Sequence, residues 1–351
     1  MTHSGEVWIL GATGRTGRAI AERLAAKGLA LVLVGRDEAR LRQVGLDARV
    51  VVADGATSMA AEITEQRPAV VVNTIGDYAA TAPTIAGACR PGTHYVDLAA
   101  DLASVPRLLA LREAATSTLV TGAGFGVLAT EAVVAALCEG RGTPRHVRVD
   151  ALASVAIEAG TMGSALAASM VDVLITGGRR YENGRLTRTR LGADARQITL
   201  PDGETVTSMG MPSGELHAAW AASHAPFVVA TSSFGSVNPA IRTLLPVLRI
   251  LLSVPALRRY AVARLARIPL TAAPRPRQHS WGHAVVEWPD GTSREGWLRA
   301  GEGMDYTADV VAEIAARLAS GEGKPGAYTP AAAFGPDLAT VGGATFILDP
   351  S

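Results

Sequence analysis

Val7-Trp8-Ile9-Leu10-Gly11-Ala12-Thr13-Gly14-Arg15-Thr16-Gly17-Arg18 is the stretch on which the fold turns. An apolar run leads into Gly-x-x-Gly-x-x-Gly and then into a helical pattern, Arg15–Ala26, that stops at Gly28. Backbone amides at such a helix start can face a pyrophosphate, and the missing side chains let it approach closely. Gly11, Thr13, Gly14, Arg15, Thr16 and Gly17 are therefore candidate dinucleotide contacts, with Gly17 also letting the helix pack on the sheet. A glycine-rich turn that holds no ligand is the plainer alternative.

Outward from this turn, short apolar runs alternate with amphipathic stretches. Val7–Leu10, Ala30–Val34, Val50–Ala53, Ala69–Thr74, Tyr95–Leu98 and Thr118–Thr121 read as six strands, with helical segments such as Ala103–Ala115 between them. Alternation of this kind builds βαβ units and a doubly wound parallel sheet, a Rossmann domain, which gathers its ligand at the carboxyl ends of the strands. The expected fold class is α/β, with the Rossmann domain over 1–140. A second, α+β substrate domain with an antiparallel sheet is expected over 141–325, and a C-terminal segment, 326–351, packing back on the first domain.

The strand ends supply the remaining candidates. The second strand closes Val34-Gly35-Arg36, where an acidic residue would select NAD by meeting the ribose hydroxyls. Arg36 can instead pair with a 2′-phosphate, so the expected cofactor is NADPH; a plain surface arginine beside Asp37 and Glu38 is the competing reading. Asp54 is placed to contact adenine or to cap a helix. Asn73, Thr74 and Gly76 suit ribose and pyrophosphate hydroxyls. Tyr78 would stand near the nicotinamide as a hydrogen-bond or proton donor, and Asp97 shares that edge. A buried structural tyrosine and a helix-capping aspartate remain open for these two catalytic candidates.

Composition narrows the function classes. The 351 residues carry 33 Lys+Arg against 32 Asp+Glu, a net charge of +1, which lacks the basic footprint of a nucleic-acid binder. With 48% hydrophobic residues, disorder is not expected either. Cys89 and Cys138 form no CxxC pair and are expected to be reduced thiols. The seven histidines show no metal spacing, His279 and His283 read as structural, and no metal is expected. The polar start lacks the pattern of a secretory signal, so a cytoplasmic location is expected. Lys27 and Lys324 are the only lysines.

After Gly140 the alternation stops. Arg145–Ser154 reads as a strand, and Thr161 as the cap of a helix running through Thr176 to Gly177-Gly178. Asn183-Gly184, Pro201-Asp202-Gly203 and Pro289-Asp290-Gly291 mark tight turns between strands. Tyr306–Ala319 reads as a long helix and Ala344–Leu348 as a last strand. Pro239–Ile268 is rich in Leu and Arg and broken at Pro246 and Pro255. It lacks the apolar run of a transmembrane helix and reads as a packing helix or lid, or as a helix lying on an anionic membrane.

Taken together, Gly11-Ala-Thr-Gly14-Arg-Thr-Gly17-Arg18, Gly35-Arg36, Asn73…Gly76-Asp77-Tyr78, Ala88-Cys89 and Gly92-Thr93-His94-Tyr95-Val96-Asp97-Leu98 resemble the saccharopine dehydrogenase-like oxidoreductases. The tail is similar to the trans-acting enoyl reductase branch. It is carried by Gly160-Thr161…Ser164…Ser169-Met170, the stretch around Trp281 to Trp297, the Tyr306 helix and Gly326-Ala-Tyr-Thr329-Pro330-Ala-Ala-Ala-Phe-Gly335. The resemblance implies NADP(H) use and reduction of a conjugated or imine-like double bond. Where relatives of this kind are expected to read Gly-Phe-Asp-x-x-Pro-Ser-Asp, this chain has Gly124-Phe125-Gly126-Val127-Leu128-Ala129-Thr130-Glu131. The function expected is NADPH-dependent reduction of an activated C=C bond in an apolar lipid or polyketide-type intermediate. Imine or opine-type C=N reduction, a non-redox cyclase or isomerase, and a non-catalytic NADPH-binding protein are the alternatives. Partners to consider are a small apolar substrate, a membrane surface or carrier protein, and a second copy of the chain.

Overall fold

The computed structural model describes residues 4–233 and 248–348. The chain divides into two units: one comprises the chain up to Leu128 and again over Met304–Gly342, the other Ala129–Gly303 and the chain from Gly343.

In the first unit β1 (Ser4–Leu10), β2 (Leu31–Gly35), β3 (Arg49–Val52), β4 (Pro68–Asn73), β5 (His94–Asp97) and β6 (Thr118–Val120) form a wholly parallel sheet. With β17 (Gly326–Tyr328) as a seventh strand, its order is β17-β6-β5-β4-β1-β2-β3, so the winding reverses between β1 and β4, which is where a doubly wound sheet opens for its ligand. Trp8, Ile9, Leu10, Val32, Val34, Val71 and Tyr95 are buried, as strands covered on both faces require. Helices α1 (Arg15–Ala26), α2 (Glu38–Arg42), α3 (Gly55–Gln66), α4 (Tyr78–Ala88) and α5 (Ser104–Leu109) connect the strands, α5 being shorter than the expected Ala103–Ala115, and α6 (Phe125–Cys138) follows β6.

The seventh strand, β17 (Gly326–Tyr328), pairs parallel with β6. It arrives by a helix, Gly303–Ala319, which was expected in the second domain. From Met304 onward this helix belongs to the first unit. It buries Tyr306, Val310, Val311, Ile314 and Leu318. Its acids follow the helical repeat, so Asp305 and Asp309 meet Arg23 (3.2 and 2.5 Å) and Glu313 meets Lys27 (2.9 Å), both bases on or just after α1.

The second unit is built on a nine-stranded sheet of path order β10-β9-β13-β7-β15-β16-β18, with β11 and β12 joined to it through β13. Here β7 is His146–Leu152, β9 Gly178–Glu182, β10 Arg185–Thr189, β11 Arg196–Thr199, β12 Thr205–Gly210, β13 Phe227–Ser232, β15 Ser280–Glu287, β16 Ser293–Ala300 and β18 Thr345–Leu348. The sheet is mixed rather than antiparallel throughout, because β13 returns parallel to β7. All three expected turns join antiparallel strands. At Asn183-Gly184 both residues have positive φ (49° and 71°), the backbone that an Asn-Gly hairpin demands.

Helix α7 (Gly163–Thr176) starts without a side-chain cap, and Thr161 lies instead in the two-residue strand β8 (Gly160–Thr161), paired with β14 (Pro269–Leu270). A backbone tied into that ladder leaves Thr161 two residues short of the helix. Of the C-terminal segment, 326–351, expected to pack back on the first domain, the part up to Gly342 lies in the first unit, while the last strand, β18, pairs with β16 and belongs to the second. Of the Pro239–Ile268 region, 239–247 lies outside the described residues; its later part forms the Pro255–Leu265 helix.

Candidate functional site

The glycine turn leaves β1 at Gly11, whose φ of +83° is one that side chains rarely adopt. The Gly14 amide donates to the Gly11 carbonyl (3.0 Å), closing the turn, and α1 then starts with Gly14 as its N-cap. A Cβ at Gly17 would fall 2.4 Å from that carbonyl, so helix and turn pack at a distance only glycine permits. At Gly14 the nearest atom to a Cβ is the same carbonyl at 3.3 Å, and the outer side of the turn stays open. No side chain caps α1 and no acid sits in its first turn, so its positive end is left for an outside anion. Thr13 and Thr16 are half-buried beside it, and Arg15 and Gly14 are exposed.

Neighbouring strand ends are held in register with this turn. The Gly11 amide donates to Val34 O, and the Ala53 amide to Gly35 O. Arg36 follows directly and is exposed, with no ion pair among the described residues. The acids beside it are engaged elsewhere: Asp37 accepts from the Arg40 amide (3.1 Å) and caps α2, while Glu38 pairs with Arg42 (2.6 Å). Asp54 occupies the N-cap position of α3 yet makes no capping hydrogen bond, and it too is exposed.

Between β4 and α4 the chain bends through two left-handed residues, Gly76 (φ 72°) and Asp77 (φ 43°). Thr81 steadies the bend by donating to Gly76 O (3.0 Å). Thr74 donates to Leu10 O (2.7 Å) and lies against Gly11 and Gly17, so its hydroxyl braces the glycine turn rather than facing outward.

Asn73 and Asp97 were expected to meet ligand. Both are fully buried instead, and they form one network. Asn73 donates to Tyr95 Oη (3.0 Å) and accepts from the Ile75 amide (3.2 Å), while Tyr95 donates to Asp97 Oδ2 (3.0 Å). Asp97 Oδ1 accepts from Ala99 N (3.0 Å), Thr121 Oγ1 (2.8 Å) and Gly122 N (3.1 Å). Burial raises the Asp97 pKa, the neutral donors only partly opposing it. The network ties together the ends of β4, β5 and β6. A signal for it does exist in the sequence: Tyr95 and Asp97, two apart on a strand, share a face.

Tyr78 opens α4, half-buried against the first unit's apolar core. Burial pushes its phenol well up, Asp97 and Asp101 push it further, and the Leu98 backbone pulls the other way. A phenol so placed stays protonated at ordinary pH and can donate, but it is no base. Neither lysine reaches these strand ends: Lys27 is held by Glu313, and Lys324 donates to Ala332 O (3.1 Å).

The second unit holds a polar centre that the sequence reading did not assemble. On β7, β13, β15 and β16, Arg148, Asp150, Thr231, His283 and Glu295 converge beside Trp297. His283 places Nδ1 2.8 Å from Asp150 and Nε2 2.9 Å from Glu295, and it stacks on Trp297 at 3.9 Å. Only an imidazolium can donate to both carboxylates. Burial opposes that charge, but the two acids outweigh it and raise the His283 pKa. Arg148 pairs with Asp150 (2.9 Å) and donates to Asp194 O (2.8 Å). Among the described residues no group of three or more His, Cys, Asp or Glu could hold a metal ion, and no helix is long and apolar enough to cross a membrane.

No family model matches the chain, and no curated protein does. Among solved structures, a saccharopine dehydrogenase (L-Glu forming) from Saccharomyces cerevisiae in its apo form matches with a TM-score of 0.59 at 12% identity, over 98% of this chain and 100% of that one. A putative betaketoacyl-ACP reductase matches 34% of this chain and 73% of its own (TM-score 0.28, 18% identity). A serine dehydrogenase complexed with NADP+ matches 29% and 56% (TM-score 0.24, 18% identity). The first likeness runs through both units, and the fold of this chain is that of a saccharopine dehydrogenase.

Proposed function

We propose that this chain is an NADP(H)-dependent oxidoreductase that reduces an activated C=C bond in an apolar lipid or polyketide-type intermediate. The observation that carries the cofactor is Arg36: an exposed cation with no ion-pair partner among the described residues, one strand over from an uncapped helix start and a glycine turn open on its outer side. The α1 amides and the turn Gly11–Gly17 would hold the pyrophosphate, Arg36 the 2′-phosphate, and Asp54 the adenine side. When bound, the nicotinamide supplies the hydride. Tyr78 donates a hydrogen bond to the substrate oxygen as charge develops there, solvent or Tyr78 supplies the proton that completes the reduction, and Asn73 and Asp97 hold the strand ends that orient Tyr78. The distance of both lysines from these strand ends speaks against lysine-assisted chemistry. The C=C assignment itself rests on the sequence resemblance of the tail. C=N reduction is the second reading, favoured by the whole-chain likeness to a saccharopine dehydrogenase.

Titration of wild type and Arg36→Ala with NADPH and NADH tests the cofactor. Loss of one charge-assisted contact should cost about 1.5–3 kcal/mol, roughly tenfold to a hundredfold in NADPH affinity, with NADH affinity unchanged. An equal loss for both cofactors would remove Arg36 from the site. Oxidation of NADPH with a panel of α,β-unsaturated thioesters and of imines then separates the two reactions.

A further inference from the structure

From Leu216 through Val286 the chain has no Asp or Glu and eight arginines. Within this stretch the Pro255–Leu265 helix buries none of its residues, although a surface helix normally hides an apolar stripe. Ile250 is 71% and Tyr260 65% exposed, and Leu251, Val254 and Leu257 between them are exposed as well. On α7, the helix packed against it, Leu166 and Met170 stand exposed one turn apart. Single exposed apolar residues are ordinary, but a continuous run of them marks a surface that binds something.

The charges say what. Arg258 is held by Asp172 through two 2.9 Å contacts, which fix the helix to α7. Arg259, Arg264 and Arg267 are exposed with no carboxylate partner among the described residues. Nearby, Arg179 and Arg188 stand directly opposite each other across the β9/β10 pair, an arrangement that repels. Arg249 lies close to Arg179, at the Gly177 end of α7. Burial and then these two neighbours hold the Arg179 guanidinium below its usual range. Unmatched arginines flanking exposed aliphatic side chains need an occupant that is both anionic and apolar, and a tyrosine between them suits a boundary between water and acyl chains. An acidic protein would answer the charge but would leave the aliphatic run in water.

We propose that the 248–268 surface, with α7 and the Arg179/Arg188 pair, docks on an anionic lipid membrane, its aliphatic side chains entering the headgroup boundary and its arginines meeting lipid phosphates. The proposal is independent of the cofactor reading, and its test needs no cofactor. The full chain is sedimented with phosphatidylcholine vesicles, with and without phosphatidylglycerol, at low and high salt. Binding should require phosphatidylglycerol and weaken with salt. Each arginine near such a surface contributes about fivefold to partitioning, so the triple variant Arg259→Glu, Arg264→Glu, Arg267→Glu should lose roughly a hundredfold or more. Ile250→Ser with Leu257→Ser and Tyr260→Ser should also lose binding, both variants keeping the wild-type circular dichroism because the substituted side chains are exposed. The proposal is overturned if wild type does not pellet with phosphatidylglycerol vesicles or if both folded variants pellet as wild type does. It is equally overturned if the apolar variant abolishes self-association of a chain that ignores vesicles, or if only an acidic carrier protein is bound.

Discussion

Asp97 in the first unit and Asp150 in the second are both fully buried, yet their pKa values move in opposite directions. Every donor around Asp97 is neutral: two main-chain amides, a threonine hydroxyl and a phenol. They reduce the cost of desolvation without cancelling it, so the pKa rises. Asp150 suffers the same desolvation, but the His283 hydrogen bond and the Arg148 charge outweigh it, and its pKa falls. The difference follows from the two sheets. At the carboxyl ends of parallel strands the nearest polar atoms are loop amides, whereas on the face of a mixed sheet side chains from adjacent strands stand opposite one another. A carboxylate of the first kind orients loops at the ligand edge. One of the second kind holds strands in register.

The largest expected effect comes from breaking the charged centre. Asp150→Ala leaves Arg148 buried without its counter-charge and His283 with Glu295 as its one carboxylate partner, and should cost about 3–5 kcal/mol in urea denaturation. A loss no greater than that of the Asp97 variant below would erase the distinction between the two centres. Next is His283→Gln, expected to cost roughly 1.5–3 kcal/mol where the imidazole is charged. Because the folded pKa of His283 is raised, its contribution is fully present below the ordinary value of 6.5 and is lost as pH rises through the folded value. The gap between wild type and variant should therefore close at alkaline pH. Asp150 has the opposite sign: its contribution is present above 3.8 and is lost as pH falls through the lowered folded value. A gap that does not change with pH would mean that His283 is neutral in the fold.

Asp97→Asn should have the smallest effect, about 1 kcal/mol. With a raised pKa, Asp97 favours the fold most when protonated, a contribution present below 3.8 and lost as pH rises, and the amide resembles that neutral form. A loss as large as that of Asp150→Ala would show that the amide cradle stabilises the ionised carboxylate as strongly as a cation does.

How much of this could be read beforehand varied with range along the chain. The helix Arg15–Ala26 and the three hairpin turns were legible to the residue, because glycine spacing and Asn-Gly or Asp-Gly pairs act locally. The place of Arg36 directly after β2 is legible because the apolar run of that strand ends there. Asn73 and Asp97 stand at the expected strand ends but face inward; Asn73 is turned by Tyr95 of the neighbouring strand, and Asp97, besides Tyr95 on its own strand, by Thr121 and Gly122 beyond β6. His283 reads as structural from the sequence, yet its partner Asp150 lies 133 residues away, and no spacing rule joins the two. The three-residue strand β17 has too little alternation to declare itself, and only its pairing with β6 makes it a strand.

That pairing has a consequence for how the chain is made. Between the units the backbone passes three times, after Leu128, Gly303 and Gly342. Thr118 at the start of β6 donates to Lys324 O, 206 residues further along. At ribosomal speeds of about 5–20 residues per second, β6 waits roughly 10–40 s for that neighbour. Until then the nascent first unit carries a bare strand border, the kind of template on which foreign strands assemble. The short length of β6, three residues, limits how well such a stranger could adhere during the wait.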